Sequence, residues 1–183
     1  MKVFRENELM LTSSVVSIGA FDGLHRGHQT LIKQAVKRAC ELDVPSVVYT
    51  FDPPPRVYFQ NERMLTSIEE KMALIKELNV DYTVVAHFNS HYASRKPIEF
   101  IEELCLLGTR EIWVGPDFRF GKAKEGSVQL LSEFFKVNIH PVVTCDQGKR
   151  ISSTRIRELL NKSDWIKVQD LLGRQSLKTL NNI

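Results

Sequence analysis

Apolar residues recur along this chain with two different periods, and the two alternate. Residues 14–19 are a short apolar run closed by a glycine, which predicts a buried strand. Over 28–42, Leu31, Ile32, Ala35, Val36 and Ala39 return at helical spacing. Residues 46–51 are β-branched and aromatic, a second buried strand stopped by Pro53, Pro54 and Pro55. Ser67 and Glu70 have the spacing of a capping box that opens a helix through Leu78. A third strand is predicted at 82–86, and Pro97 suits the first turn of a helix through Leu107. Strands at 111–115 and 137–143 flank a helix at 127–135, and helices at 154–161 and 164–172 end at Gly173. This alternation predicts the α/β class, a mostly parallel sheet with helices on both faces. Ligands of such sheets bind beyond the carboxyl ends of the strands. The Gly19 turn, the proline loop, the Gly115 loop and a cluster around Arg150 are expected to meet there.

Composition narrows the function classes. With 183 residues, 43% hydrophobic and 26% charged, the chain supports one domain with a sizeable core. A net charge of +3 does not suggest a general nucleic-acid or membrane surface, so anions are expected to be held by local clusters. Cys40, Cys105 and Cys145 are widely spaced and odd in number, which favours buried thiols in a reducing compartment over disulfides or a zinc site. Residues 1–7 are charged rather than apolar, and no stretch has the length of a membrane span. A cytoplasmic chain without nucleic-acid or membrane partners is expected. Residues 176–183 read as a loose end after a domain spanning 1–175.

Four segments carry candidate chemistry. In Ser17-Ile18-Gly19-Ala20-Phe21-Asp22-Gly23-Leu24-His25-Arg26-Gly27-His28, an apolar strand runs into glycines and two histidines three residues apart, and a helix follows. Imidazole N–H groups and helix-terminal amides facing one ligand make a phosphate cradle. Two histidines without a third ligand nearby make a poor zinc site. In Arg150-Ile151-Ser152-Ser153-Thr154-Arg155-Ile156-Arg157, a hydroxyl N-cap opens a helix. Thr154 and Arg157 share one helical face, while Ile156, Leu159 and Leu160 mark the buried side. Arg150 and Arg157 offer forks of donors to phosphate, whereas Arg155 reads as a solvated surface charge. The third segment, 114–122, places Asp117 where it could hold Mg²⁺ or its waters, with Phe118 or Phe120 as an aromatic wall. The fourth, 50–59, is a rigid strand exit or a loop presenting Arg56 or Phe59 to a second substrate. Nothing in 88–96 singles out a role.

Together, in this order, the stretches IGAFDGLHRGHQ, TFDPPPR, LTSIEEKMALIKELNVDY, VGPDFRFGKAKEG and RISSTRIRELL resemble the adenylyltransferase module of bacterial bifunctional riboflavin kinase/FAD synthetases over residues 14–173. The resemblance implies a Rossmann-like nucleotidyltransferase fold that joins FMN to the AMP part of ATP, with Mg²⁺, giving FAD and pyrophosphate. It implies that His25 and His28 handle the ATP phosphates and that Arg150, Ser153, Thr154 and Arg157 form a second phosphate motif. It places Asp117 near the metal and the reacting phosphates. Phe59 and Phe120 fall at flavin-pocket positions. The implied ATP set is Gly19, Phe21, Asp22, Gly23, His25, His28, Arg150, Ser153, Thr154 and Arg157. The flavin set is Arg56, Phe59, Asp117, Phe118 and Phe120, and the catalytic set is His25, His28, Asp117 and Arg157.

The chain departs from the resembled pattern in three ways. Pro54 stands where the family's proline loop has a histidine, and Ala20 where Asn is common, so the role of that imidazole is absent. Ten residues after Gly173 leave no room for a riboflavin kinase module. A standalone enzyme, to which a separate riboflavin kinase supplies FMN, and a piece of a longer protein both fit. Other nucleotidyltransferases with a different phosphorylated acceptor would keep the phosphate motifs without the aromatic loops. A non-catalytic flavin or nucleotide sensor is the reading from another class, and a class I aminoacyl-tRNA synthetase would need a longer chain.

Overall fold

The computed structural model describes residues 1–175, so the expected loose end at 176–183 lies outside the described residues. Six parallel strands form one sheet in the order β1-β4-β3-β2-β5-β6. They are β1 Lys2–Arg5, β2 Ser14–Ile18, β3 Ser46–Asp52, β4 Tyr82–His87, β5 Thr109–Val114 and β6 Lys136–Ile139. The longer helices are α1 Arg26–Glu41, α3 Ile68–Lys76, α5 Pro97–Leu106, α7 Ser153–Asn161 and α8 Trp165–Leu172, with short α2 Pro55–Gln60, α4 Ser90–Ala93 and α6 Val128–Ser132 between them.

The central strand shows why the sheet is covered twice. Every residue of β2 is buried, and successive side chains point to opposite faces. Val15 packs with Ala35 and Ala39 of α1. Its neighbours Val16 and Ile18 join Phe100, Ile101 and Leu104 of α5 on the other side. The apolar stripe of α1 (Leu31, Ile32, Ala35, Ala39) is the one its 3.6-residue spacing predicted. Truncating fully buried Ile32 to Ala would cost about 2–5 kcal/mol.

Several expectations shift. The strand expected at 137–143 stops at Ile139, where the chain meets Pro141 and turns across the ends of the sheet. The charged N-terminus adds an edge strand, β1, beside β4. Pro55 starts a helix instead of only ending a strand, because a missing N–H costs nothing in a first turn. Helix α1 begins at Arg26, ahead of the expected 28. Cys40 and Cys105 are exposed, and of the three thiols only Cys145 is buried. Arg155 is not merely solvated. Its Nη1 donates to Cys145 Sγ at 3.2 Å and to the carbonyls of Lys149 and Arg150 at 3.3 Å, pinning a hairpin that leads into α7.

Strand β2 lies between β3 and β5. The chain leaves β2 toward one neighbour and later returns on the other side, so the loops after β2 and β5 diverge and open a crevice. The C-terminal helices close one wall of it. Ile156, Val168, Leu171 and Leu172 pack on Leu65. Gln29 Nε2 donates to Leu172 O at 2.8 Å, and Arg26 pairs with Asp170 at 2.9 Å.

Candidate active site

A cavity of about 540 Å³ fills the crevice. Its wall comes from the loops after β2 (Gly19, Ala20, Phe21, Asp22), β3 (Pro54, Arg56), β5 (Gly115, Pro116, Asp117, Phe118) and β6 (His140, Pro141, Val142, Val143). The starts of α1 (His25, Gly27, His28) and α7 (Arg150 through Thr154, with Arg157) complete it. Two helix N-termini therefore face one space, and each brings free amides and positive dipole character.

The first motif is held by its own backbone. Phe21 and Gly23 adopt positive φ (49° and 78°), and Leu24 N donates to Phe21 O at 3.1 Å, closing a tight turn. His25 is the N-cap of α1, and its Nδ1 accepts from the His28 amide at 3.3 Å. That bond leaves the His25 ring proton on Nε2. The two imidazoles stack with centroids 3.6 Å apart, and Phe21 meets His28 edge-on at 5.3 Å. Gly27 leaves room for this, since a Cβ there would lie 3.3 Å from the His25 ring. Burial pushes His25 down to about 4, helped by Arg150 and Arg174. Burial, with His25 and Lys71 nearby, holds His28 well below the ordinary imidazole value. Both rings are thus neutral near pH 7. Among the described residues, buried His28 Nδ1 has no hydrogen-bond partner, and its N–H tautomer could donate to a ligand oxygen.

Asp22 belongs to the cavity wall, but its carboxylate faces protein. Oδ1 accepts from the Leu65 and Thr66 amides at 2.9 and 3.3 Å, and Oδ2 sits 2.5 Å from Arg157 Nη2. Burial pushes Asp22 up, against the Leu65 amide and the Arg157 guanidinium, which pull it down. Arg157 also reaches Glu62 at 3.0 Å and Arg63 O at 2.8 Å. Ser152 caps α7 through the Arg155 amide, Ser153 Oγ donates to Asp22 O at 2.9 Å, and Thr154 Oγ1 accepts from Arg56. Arg150 pairs with Asp117 at 2.5 Å on the cavity rim. The sequence-derived phosphate residues converge on one cavity, except Gly23, whose amide donates to Thr66 Oγ1 at 3.1 Å behind the wall.

The aromatic residues divide differently. Phe118 lines the cavity, while Phe120 is buried in the main core against Phe100. Phe59 stands off the cavity wall, 65% exposed, in a cluster with Tyr58 and Phe88. Phe88 and Tyr92 extend that cluster, and Arg95 lies 4.8 Å over the Tyr92 ring, which gives the unassigned 88–96 segment a structural place. The sequence reading missed His140–Val143, because it took them for a strand. It also missed Lys71, although a lysine four residues before Ile75 on one helical face was a signal of a buried cation.

Comparisons with known proteins place the chain in a family. Residues 8–155 match the FAD synthetase family model. A protein of Geobacillus thermodenitrificans, provisionally named a bifunctional riboflavin kinase/FMN adenylyltransferase, is 52% identical over 174 residues, 94% of this chain and 97% of the relative. The bifunctional riboflavin kinase/FMN adenylyltransferase of Escherichia coli K12 is 33% identical over 168 residues, 87% of this chain, and this chain spans about half (54%) of its length. Among solved structures, one titled a macrolide-efflux protein from Streptococcus pneumoniae superimposes with a TM-score of 0.82 at 28% identity, over 94% of this chain and 60% of that one. Pantothenate synthetase from Thermus thermophilus, at TM-score 0.57 and 17% identity over 89% of this chain and 77% of its own, shares the fold. The match of residues 8–155 and the 52% identity over nearly the whole relative show that the chain belongs to the FAD synthetase family.

Proposed function

We propose that this chain transfers the AMP part of ATP to FMN, releasing FAD and pyrophosphate, and that the cavity at the ends of β2 and β5 is where the transfer occurs. Family membership supports the reaction. The observation that carries the site is the meeting of His25, His28, Arg150, Thr154 and Arg157, from two helix starts far apart in sequence, around one cavity.

The terminal phosphate of FMN attacks the α-phosphorus of ATP, and the bond from that phosphorus to the oxygen it shares with the β-phosphorus breaks, so that this oxygen leaves with pyrophosphate. The nucleophile is already an anion near neutral pH, since the second pKa of a phosphate monoester is about 6. The chain then has to align two anions and neutralise the charge that grows on the leaving group. Neutral His25 donates from Nε2. His28 supplies its unpartnered ring nitrogen, and negative phosphates at the stack raise both imidazole pKa values, favouring the charged imidazolium form. Arg157 is pre-oriented by Asp22 and Glu62, so little rotamer freedom is lost on binding. Arg150 exchanges the Asp117 carboxylate for phosphate.

Asp117 is one exposed carboxylate on the rim, and no cluster of three or more metal-binding side chains occurs among the described residues. That donor set fits Mg²⁺, which takes few carboxylates and completes its shell with phosphate oxygens and water. Asp117 would hold the ion, and the ion, when bound, supplies charge neutralisation on the phosphates. Phe118 on the wall, with Arg56 and the exposed Phe59 beyond it, forms the acceptor side.

Incubating the chain with FMN, [α-³²P]ATP and Mg²⁺ tests the reading. Labelled FAD and unlabelled pyrophosphate are expected. Bound ATP without labelled FAD would leave a nucleotide-binding module and overturn the proposed chemistry.

A further inference from the structure

Lys71 on α3 is a cation that the proposed reaction leaves without a task. It is completely buried. Its Nζ donates to Phe51 O at 2.9 Å and to Ala20 O at 3.1 Å. Phe51 belongs to the end of β3 and Ala20 follows β2, so one ammonium ties two adjacent strand ends together. Ala20 forms part of the cavity wall, and its carbonyl also accepts from Thr50 Oγ1 at 3.1 Å. Both partners of the ammonium are neutral carbonyls.

The charged and titratable groups that act on Lys71 are Asp22 before α1, Asp52 at the end of β3, and His28 in the first turn of α1. Asp22 is already engaged by Arg157 and two amides. The positive charge behind the wall is therefore only partly compensated. A buried charge is costly even with two carbonyl partners, and neither partner carries the opposite charge. An anion on the far side of the wall offsets that cost.

We infer that Lys71 is a positioning residue for ATP, tying the ends of β2 and β3 behind the cavity and holding there a positive charge that the bound phosphates complete. The inference rests on the functional reading above. It has a pH signature. Burial lowers Lys71 to about 8 in the free chain, against the partial support of Asp22 and Asp52. Phosphates arriving at the wall raise it again. At pH above about 8, binding then takes up a proton, and affinity falls as the pH rises.

The test is calorimetric titration of the full chain with ATP and Mg²⁺, without FMN, at pH 7, 8 and 9, for wild type, Lys71→Arg and Lys71→Met. Wild type is expected to lose about fivefold in affinity between pH 7 and 9, which is what one pKa unit of coupling gives over this range for a group near 8. Lys71→Arg keeps its charge throughout, so it should bind within a few-fold of wild type at pH 7 and stay flat to pH 9. Lys71→Met should bind about tenfold more weakly at pH 7, and in a separate steady-state assay its KM should rise for ATP but not for FMN. Cys145 is retained in both variants, so its thiol cannot produce the difference between them. If Lys71→Met fails to fold, the Lys71→Arg profile decides. An arginine variant that still loses affinity through pH 8, a methionine variant that binds like wild type, or a wild type flat over this range would overturn the inference alone. A wild type that binds no ATP would overturn the functional reading as well.

Discussion

Asp22–Arg157 and Asp117–Arg150 pair the same two chemical groups at the same 2.5 Å in one cavity. The first pair's side chains are 4% and 12% exposed, the second pair's 69% and 51%. Asp22 also receives two backbone amides, whereas Asp117 stands on a rim open to water. An exposed ion pair is worth at most about 1 kcal/mol and yields readily to a competing anion. A buried, hydrogen-bonded pair resists removal of either partner, because the other is left charged and unpaired. One end of the cavity is thus built before substrate arrives, and the other is exchangeable.

The largest effect that would separate the two pairs is on stability. Asp22→Ala is expected to cost about 3–5 kcal/mol in denaturant unfolding, since it strands Arg157 and the Leu65 amide. A loss below about 1 kcal/mol would place Asp22 in the exchangeable class with Asp117. Next, His28→Ala should lower turnover about 10²–10³-fold, as loss of one preorganised donor does, with the Tm unchanged. An unaltered rate would remove His28 from the built end.

A smaller effect follows from pH. His25 stays unprotonated in the folded chain down to about 4, whereas unfolded imidazole takes its proton near 6.5. The unfolded state binds more protons between these values, so stability should fall as the pH drops from about 6.5 toward 4. Denaturant midpoints at pH 7, 6 and 5 measure the slope, and His25→Asn should reduce it, leaving the part that His28 contributes. Phe59→Ala is expected to raise KM for FMN by up to about tenfold while leaving KM for ATP alone. Equal shifts in both would dissociate the exposed aromatic cluster from the acceptor. The smallest effect belongs to Asp117→Asn, less than about 1 kcal/mol in stability, with any larger change confined to ATP affinity at fixed Mg²⁺. A large fall in Tm would show the rim pair to be structural after all.

The comparison also explains what was legible beforehand. The two phosphate motifs could be read because turn, cap and helix-start chemistry is local: Gly23, His25, Ser152 and Thr154 act within a few residues of themselves. Their convergence followed from the alternation of strand and helix, which puts strand ends on one side. The short segments were less legible. Residues 140–143 have the composition of a strand, and their release from the sheet depends on where β5 ends and on Pro141. Arg155 looked like a surface charge because its partners, Cys145 and the carbonyls of Lys149 and Arg150, come from a hairpin that pattern reading left unformed. Cys40 and Cys105 sit within apolar helical stretches, yet both are exposed. Phe59 and Phe120 were read together as pocket residues, but one is exposed on α2 and the other packs in the core.

By itself, the order of residues determined the layered α/β architecture, the buried stripe of α1 and the presence of two capped helix starts, because periodicity and capping depend on near neighbours. Only the folded chain decided that Asp22 pairs with Arg157, that Lys71 lies behind the cavity wall, and that two chemically identical ion pairs have opposite exposure. Those outcomes depend on which distant segments meet and how much water they exclude, and in a folded chain it is the exclusion of water that sets the strength of a charge.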